Sequence, residues 1–325
     1  MNFRRTVQSG TLLLALTAVP SLAFSQMSAM KESAAPDPAR VTYHTTQVDG
    51  LKIFYREAGP KNAPTLVLLH GYPSSSHMFR NLIPALSDKY HVIAPDYPGF
   101  GYSDSPSPEE YAYTFDHLAD TVDHFLDQQG ITKYSIYIQD YGAPVGFRLA
   151  MRHPDRIQAI ISQNGNAYDE GLAPFWAEFL YPYWKDPNPT TEAKVRKILT
   201  PDLTKFQYTQ GFRNPEDVSP DSYTFDQMTL DRTGNDKIQL ALFYDYRKNP
   251  PLYPTWHEYL RKYHPPLLAI WGKNDPVFLP AGAEAFAKDD PRTELHLLDT
   301  GHFALEEDGA LIAQTIRDFL AKNVK

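Results

Sequence analysis

The stretch "YSIYIQDYGAPVG", residues 134–146, sets a short β-rich run against a tight turn and then a helix-compatible segment, with Asp140 at the hinge. A strand–turn–helix junction of this kind is strained and lifts one side chain clear of the backbone. Gly142 lets the chain pass closely there. Three other segments carry groups that can assist chemistry: "HGYP" (70–73), Asp275 in "WGKNDPVF" and His302 in "DTGHFALEED". Taken singly, each has an ordinary reading. Asp is a favoured helix cap, Asp-Pro and Gly-x-Pro mark turns, and a lone histidine is most often a plain loop residue. Taken together they follow the chain order elbow residue, acid, histidine, which is one order in which a nucleophile and its two helpers occur. A carboxylate at the elbow does what a hydroxyl cannot. It is already ionised at neutral pH, so it can displace a leaving group at saturated carbon without a base. The product is an alkyl ester of the aspartate.

The surrounding elements must hold these residues at strand ends. From about residue 45 onward strand and helix signals alternate. "KIFYREAG" reads as an early antiparallel strand, and "TLVLLHG" (65–71) and "HVIAPDYPGFG" (91–101) as apolar strands running into Gly or Pro turns. "FDHLADTVDHFLDQQG" has helical spacing and a terminal Gly. "YSIYIQ", "APVGFRLAMRHP" and "IQAIISQNG" then give strand, helix and strand. The alternation lapses over 167–262, an aromatic and Pro-rich stretch of helix-compatible segments. It resumes with "LLAIWG", "TELHLLD" and the amphipathic "GALIAQTIRDFLAK". The pattern predicts a mostly parallel sheet flanked by helices, with a helical insertion late in the sheet order. Ligands of such sheets bind beyond the carboxyl ends of the strands.

On these residues the sequence resembles the α/β-hydrolases of the epoxide hydrolase and haloalkane dehalogenase branch, over nearly all of 45–325. The likeness rests on "HGYPSSSHMFRNLIPAL", "VIAPDYPGFGYSD", the Asp-bearing elbow, "WGKNDPVF" and "GHFALEED". It implies an α/β-hydrolase core at 45–166 and 263–325 and a helical cap at 167–262. It also implies that Asp140 is the nucleophile, His302 the hydrolytic base and Asp275 its orienting acid. The "HGYP" turn is similar to the His-Gly-X-Pro signature of epoxide hydrolases, which makes the amides of Tyr72 and Tyr141 the expected oxyanion hole. One such donor is typically worth about 3–4 kcal/mol.

The leaving group separates the two activities. Haloalkane dehalogenases typically bind halide through a Trp after the nucleophile and an Asn in the "HGN" turn. These positions hold Tyr141 and Tyr72 here, leaving Trp176 and Trp184 as the donors open to a dehalogenase. Epoxide hydrolases present two cap tyrosines to the ring oxygen. "ALFYDYRKNP" resembles the Tyr-Arg-Asn element late in their caps, so Tyr246 is the expected donor with Tyr244 in reserve. "FLYPYW" offers Tyr181 and Tyr183 as its partner. The expected activity is hydrolysis of a hydrophobic epoxide to a vicinal diol. Haloalkane dehalogenation is the alternative, and an inactive ligand-binding scaffold a remote one.

Composition bounds the rest. The chain has 325 residues, 42% of them hydrophobic, a formal charge of -8 and no cysteine. The charge argues against a nucleic-acid partner, and the lack of cysteine excludes disulfides and thiolate chemistry. With no metal cluster or phosphate loop in view, no cofactor is expected. The expected partners are a small hydrophobic substrate and water. Nothing in the sequence sets an oligomeric state. Arg4, Arg5, "TLLLALTAV" and "SLA" read as a signal peptide over 1–25, followed by a flexible lead-in at 26–44. The expected location is periplasmic or secreted, by either the general or the twin-arginine route, with no membrane attachment after cleavage. N-terminal sequencing of natively expressed protein should then find a start near Phe24 or Gln26; full-length protein as the sole form refutes export.

Overall fold

The computed structural model describes residues 1–2 and 40–324. The expected signal peptide and most of the expected lead-in lie outside the described residues. The lead-in does not reach residue 44, because strand β1 already begins at Thr42. Its Thr, His and Gln residues alternate between half-buried and exposed positions, so the strand shows no apolar run by which to recognise it.

Eight strands form one sheet in the order β1-β2-β4-β3-β5-β6-β7-β8. They are β1 (Thr42–Val48), β2 (Leu51–Ala58), β3 (Thr65–Leu69), β4 (His91–Pro95), β5 (Tyr134–Ile138), β6 (Ile157–Gln163), β7 (Leu267–Gly272) and β8 (Glu294–Leu298). β1 pairs with β2, and β2 with β4, antiparallel; the remaining pairs are parallel. The reason lies in the side chains. β4, β5 and β7 are buried along their whole length, and strands hidden on both faces read as continuous apolar runs. Alternate residues serve opposite layers: Val67 and Leu69 join one core cluster, Leu66 and Leu68 the other. Fully burying one such side chain contributes about 1.5–3 kcal/mol.

Helices cover both faces: α1 (Leu82–Leu86), α2 (Phe115–Gln128) and α3 (Gly142–Arg152) precede β6. Thr114 caps α2 by accepting the amide of His117, satisfying a donor that the helix leaves unpaired. Between β6 and β7 the described chain is helical apart from loops and a single bridge of Leu172 to Phe278: α4 (Pro174–Phe179), α5 (Tyr181–Lys185), α6 (Pro189–Val195), α7 (Pro201–Thr209), α8 (Pro220–Leu230), α9 (Asn235–Asp245) and α10 (Tyr253–Tyr263), with short 3₁₀ turns. α11 (Pro280–Asp289) links β7 to β8, and α12 (Leu305–Asn323) closes the fold. No described helix is long and apolar enough to cross a membrane.

The insertion meets the loops that leave the strands. Tyr72 Oη donates to the Ile198 carbonyl at 2.9 Å, and Asn235 Nδ2 to the Gly99 carbonyl at 2.9 Å. Phe115 N, at the start of α2, donates to Asp245 Oδ2 at 2.9 Å. The strand ends are thereby roofed by α9 and the 3₁₀ turn after α6.

The turn from β5 into α3 leaves no spare room. A Cβ on Gly142 would lie 2.2 Å from the Leu69 carbonyl oxygen of β3, and a buried strand cannot swing aside. Gly142→Ala should therefore destabilise the protein by about 1–3 kcal/mol. The check is a lower urea midpoint with the slope unchanged.

Candidate active site

Asp140 stands two residues beyond the end of β5 and takes the left-handed conformation, φ 48°, which side chains other than Gly, Asn and Asp rarely adopt. Its Oδ1 accepts two main-chain amides, Tyr72 N at 2.7 Å and Tyr141 N at 2.6 Å. Oδ2 accepts no hydrogen bond among the described residues. The first of those amides comes within reach because Gly71 has no side chain, since a Cβ there would lie 2.3 Å from Asp140 Cβ. Helix α3 starts after Tyr141 without any side-chain cap, so Asp140 is not spent on capping it. Burial pushes the Asp140 carboxyl up to about 6, against the downward pull of His302 and of the two amides. It remains mainly ionised at neutral pH.

His302, beyond β8, and Asp275, beyond β7, are both fully buried, with Nδ1 and Oδ2 2.7 Å apart. Asp275 also accepts Val277 N at 2.6 Å on Oδ1 and Asn164 Nδ2 at 2.7 Å on Oδ2. Asn164, at φ 48° beyond β6, further takes the Gly272 amide at 2.9 Å. It therefore brackets the ends of β6 and β7 around the acid. Burial alone would lower the pKa of His302. The charge and hydrogen bond of Asp275, with the charge of Asp140, outweigh that and raise it. His70 behaves oppositely. Burial drives it down to about 3, and its Nε2 accepts the Tyr97 amide at 3.2 Å, so it stays a neutral prop for the loop after β4. Asp96, in the loop after β4, accepts Ser76 N at 2.7 Å and Tyr102 N at 2.8 Å.

The tyrosines divide sharply. Tyr246 is buried, and its hydroxyl has no partner at hydrogen-bond geometry among the described residues. Burial, then the neighbouring Tyr253 and the charge of Asp140, hold its ionisation well above the usual phenol range. Its ring lies 4.6 Å from that of Trp176 and 6.0 Å from that of Tyr141. The 3₁₀ turn that carries it is pinned at both ends to the core. Asp245 takes the Phe115 amide, and Asn249 Oδ1 takes Arg148 Nη1 at 2.9 Å. Tyr183 packs on Tyr244 at 5.5 Å and faces Glu192 and Arg196. Tyr181 is 40% exposed, with its ring 5.2 Å from that of Trp184. Arg247 covers Tyr244 at 3.5 Å. The tyrosine that adjoins Tyr246 is thus Tyr253, at the start of α10, a residue with no motif around it to single it out. Tyr97 and Tyr141 also keep buried hydroxyls without partners among the described residues, and Asp140 joins burial in raising both.

The indole N–H groups of Trp176 and Trp184 are already engaged, donating to the carbonyls of Val277 at 2.8 Å and Phe243 at 2.7 Å. Among the described residues no group of three His, Asp or Glu side chains could hold a metal ion. The arrangement combines a carboxylate with one oxygen fixed and one free, a buried imidazole and several unpaired phenols.

Residues 64–309 match the family described as alpha/beta hydrolase fold. The chain is 46% identical over 286 residues to an uncharacterized hydrolase of Saccharomyces cerevisiae, covering 86% of this chain and 98% of that one. It is 36% identical over 170 residues to a haloalkane dehalogenase of Bradyrhizobium diazoefficiens, covering 50% and 52%. Among solved structures, an epoxide hydrolase named CorEH superposes with a TM-score of 0.70 at 24% identity, covering 87% of this chain and 99% of that one.

Two negative charges raise His302, and one of them can be removed by mutation. In Asp140→Asn the ring should titrate at lower pH than in the wild type. Histidine NMR across the pH range checks this, and an unmoved titration would disprove the coupling.

Proposed function

The chain belongs to the α/β-hydrolase fold family and is a hydrolase of that type; on that premise we propose that it is an epoxide hydrolase working through an ester of Asp140. Oδ2, the oxygen left free, attacks an epoxide carbon as the carbon–oxygen bond breaks. Tyr246 donates its proton to the oxygen that departs from that carbon but stays on the substrate. Water then gives a proton to His302 Nε2 and attacks Cγ of the ester, while the amides of Tyr72 and Tyr141 receive the charge that grows on Oδ1. Collapse releases a vicinal diol as the leaving oxygen takes the proton from His302, and the tyrosine regains a proton from the re-formed Asp140 carboxylic acid or solvent.

The observation that carries this reading is the buried hydroxyl of Tyr246, which among the described residues makes no hydrogen bond of full geometry, has only the hydroxyl of Tyr253 beside it and feels the charge of Asp140. An unmade hydrogen bond in a buried site is costly, and a ring oxygen supplies the missing acceptor. The rings of Phe115 and Phe243 packed on Tyr141, and that of Trp176 packed on Tyr246, make apolar surroundings that suit an apolar epoxide. A haloalkane substrate is the second reading, favoured by the sequence likeness to a dehalogenase. It needs halide donors, and the N–H groups of Trp176 and Trp184 are bound elsewhere.

Ester formation also explains how one histidine serves at the right moment. Alkylation removes the charge of Asp140, one of the groups that raise His302, so the ring becomes a free base once there is an ester to hydrolyse. Below about pH 6 Asp140 takes a proton, and alkylation should fade as pH drops through that value.

In His302→Gln, an aromatic epoxide should leave its mass on the peptide containing Asp140. Tyr246→Phe should slow that alkylation on the order of 10²-fold and spare ester hydrolysis. Wild-type alkylation in Tyr246→Phe refutes the role of that hydroxyl, and bromide release from a bromoalkane with no epoxide turnover moves the assignment to dehalogenation.

A further inference from the structure

Gln139, the residue before the elbow, is completely buried. Its main chain is fixed on both sides, N donating to the Leu69 carbonyl at 3.2 Å and O accepting Gly142 N at 2.7 Å. Its side chain ends with Nε2 only 2.9 Å from His302 Nε2. The amide oxygen at the same tip is buried and has no hydrogen-bond partner among the described residues. It packs against Gly71, where a Cβ would come within 2.4 Å of it. The charged groups around the imidazole are Asp275 and Asp140, and the rings of Phe278 and Phe303 lie 6.0 Å and 5.1 Å from it. Gln139 is the neutral polar group that completes its surroundings.

An amide nitrogen only donates, and a neutral imidazole has one nitrogen free to accept. With the Nδ1 proton held by Asp275, Gln139 occupies the one site through which His302 can take a proton from water. Once His302 is protonated, the two N–H groups face each other, donor against donor. Turning the amide end over presents Oε1 instead, and the unpaired oxygen gains its hydrogen bond. The two ends of a carboxamide are nearly the same shape, so both placements fill the same space.

We propose that Gln139 is a positioning residue of the second half-reaction, its amide nitrogen holding the neutral ring of His302, yielding to water, and its oxygen then receiving the imidazolium. The proposal rests on the Asp140 ester described above. The step balances without any further reagent. Water loses a proton to Nε2 as its oxygen bonds to Cγ, and the carbonyl electron pair moves to Oδ1. Collapse breaks the bond between Cγ and the oxygen bearing the alkyl group, that oxygen takes the proton back from Nε2, and the water's second proton leaves the re-formed Asp140 acid for the Tyr246 phenolate or solvent. Gln139 changes partners and exchanges no atom.

Two measurements test this, one of them without substrate. In the free enzyme, Gln139→Glu replaces a group that donates or accepts by one that, ionised, only accepts, so His302 should titrate higher by about one unit or more. Histidine NMR reads that shift, and an unmoved titration overturns the proposal. Gln139→Met keeps the bulk and loses both hydrogen bonds. In single turnovers with an epoxide, its ester hydrolysis should fall on the order of tenfold further than its alkylation, so that the alkyl-enzyme accumulates. Gln139→His, whose ring also donates or accepts, should recover part of that loss. Equal losses in both steps, or hydrolysis at the wild-type rate in Gln139→Met, defeat the positioning role. If the wild type never carries an adduct on Asp140, the ester reading fails instead, while the free-enzyme titration still judges Gln139.

Discussion

Two main-chain amides converge on one oxygen of a buried carboxylate, and the rest of the site is arranged around that contact. Tyr72 N arrives from the turn after β3 and Tyr141 N from the first step of α3, so both strands must end at the same level. Asp140 must adopt positive φ to turn its carboxylate into them, and Gly71 and Gly142 must lack side chains for the backbones to meet. Taking a carboxylate out of water is expensive unless donors replace the water. Here burial still outweighs the donors, since the group is held near 6 and not below the usual range. The outcome is a carboxylate that is ionised at neutral pH yet poorly solvated, a state that suits the attack proposed for it.

The charges around His302 form a second layer of the same design. Asp275 is held by Val277 N, Asn164 and the ring itself, and its contact with the ring fixes the proton on Nδ1. Asp140 adds a charge that, on the proposed chemistry, depends on the state of the reaction. One carboxylate is therefore a constant influence on the ring and the other a variable one. His70, equally buried but without an acid beside it, is left neutral by the same burial. The contrast shows that partner placement, and not depth, decides which histidine can act as a base.

Much of this arrangement is legible in the sequence, for a physical reason. Strands buried on both faces write apolar runs, and the residues that end them stand out as Gly, Pro, Asp or His; Asp140, Asp275 and His302 are found that way. Tyr246 is legible through "YRKN" because the flanking Asp245 and Asn249 tie its turn to Phe115 and Arg148. Other parts leave no linear trace. β1 is half exposed and polar, so its pairing with β2 and not its composition makes it a strand. Gln139, Asn164 and Tyr97 acquire their positions from side-chain directions across neighbouring strands, which no spacing along one strand encodes. Tyr181 and Tyr183 sit in an aromatic run whose members point to different surroundings, and Tyr253 adjoins Tyr246 from a helix that begins in a Pro-rich stretch.

The unequal treatment of the two oxygens of Asp140 carries a consequence for the identity of its atoms. Oδ1 stays with its two amides from one cycle to the next, whereas on the proposed chemistry Oδ2 departs inside the product and an oxygen from water takes its place. The enzyme then rebuilds half of its own carboxylate from solvent at every turnover. A molecule at work would hold an Oδ1 as old as its polypeptide beside an Oδ2 no older than its last reaction.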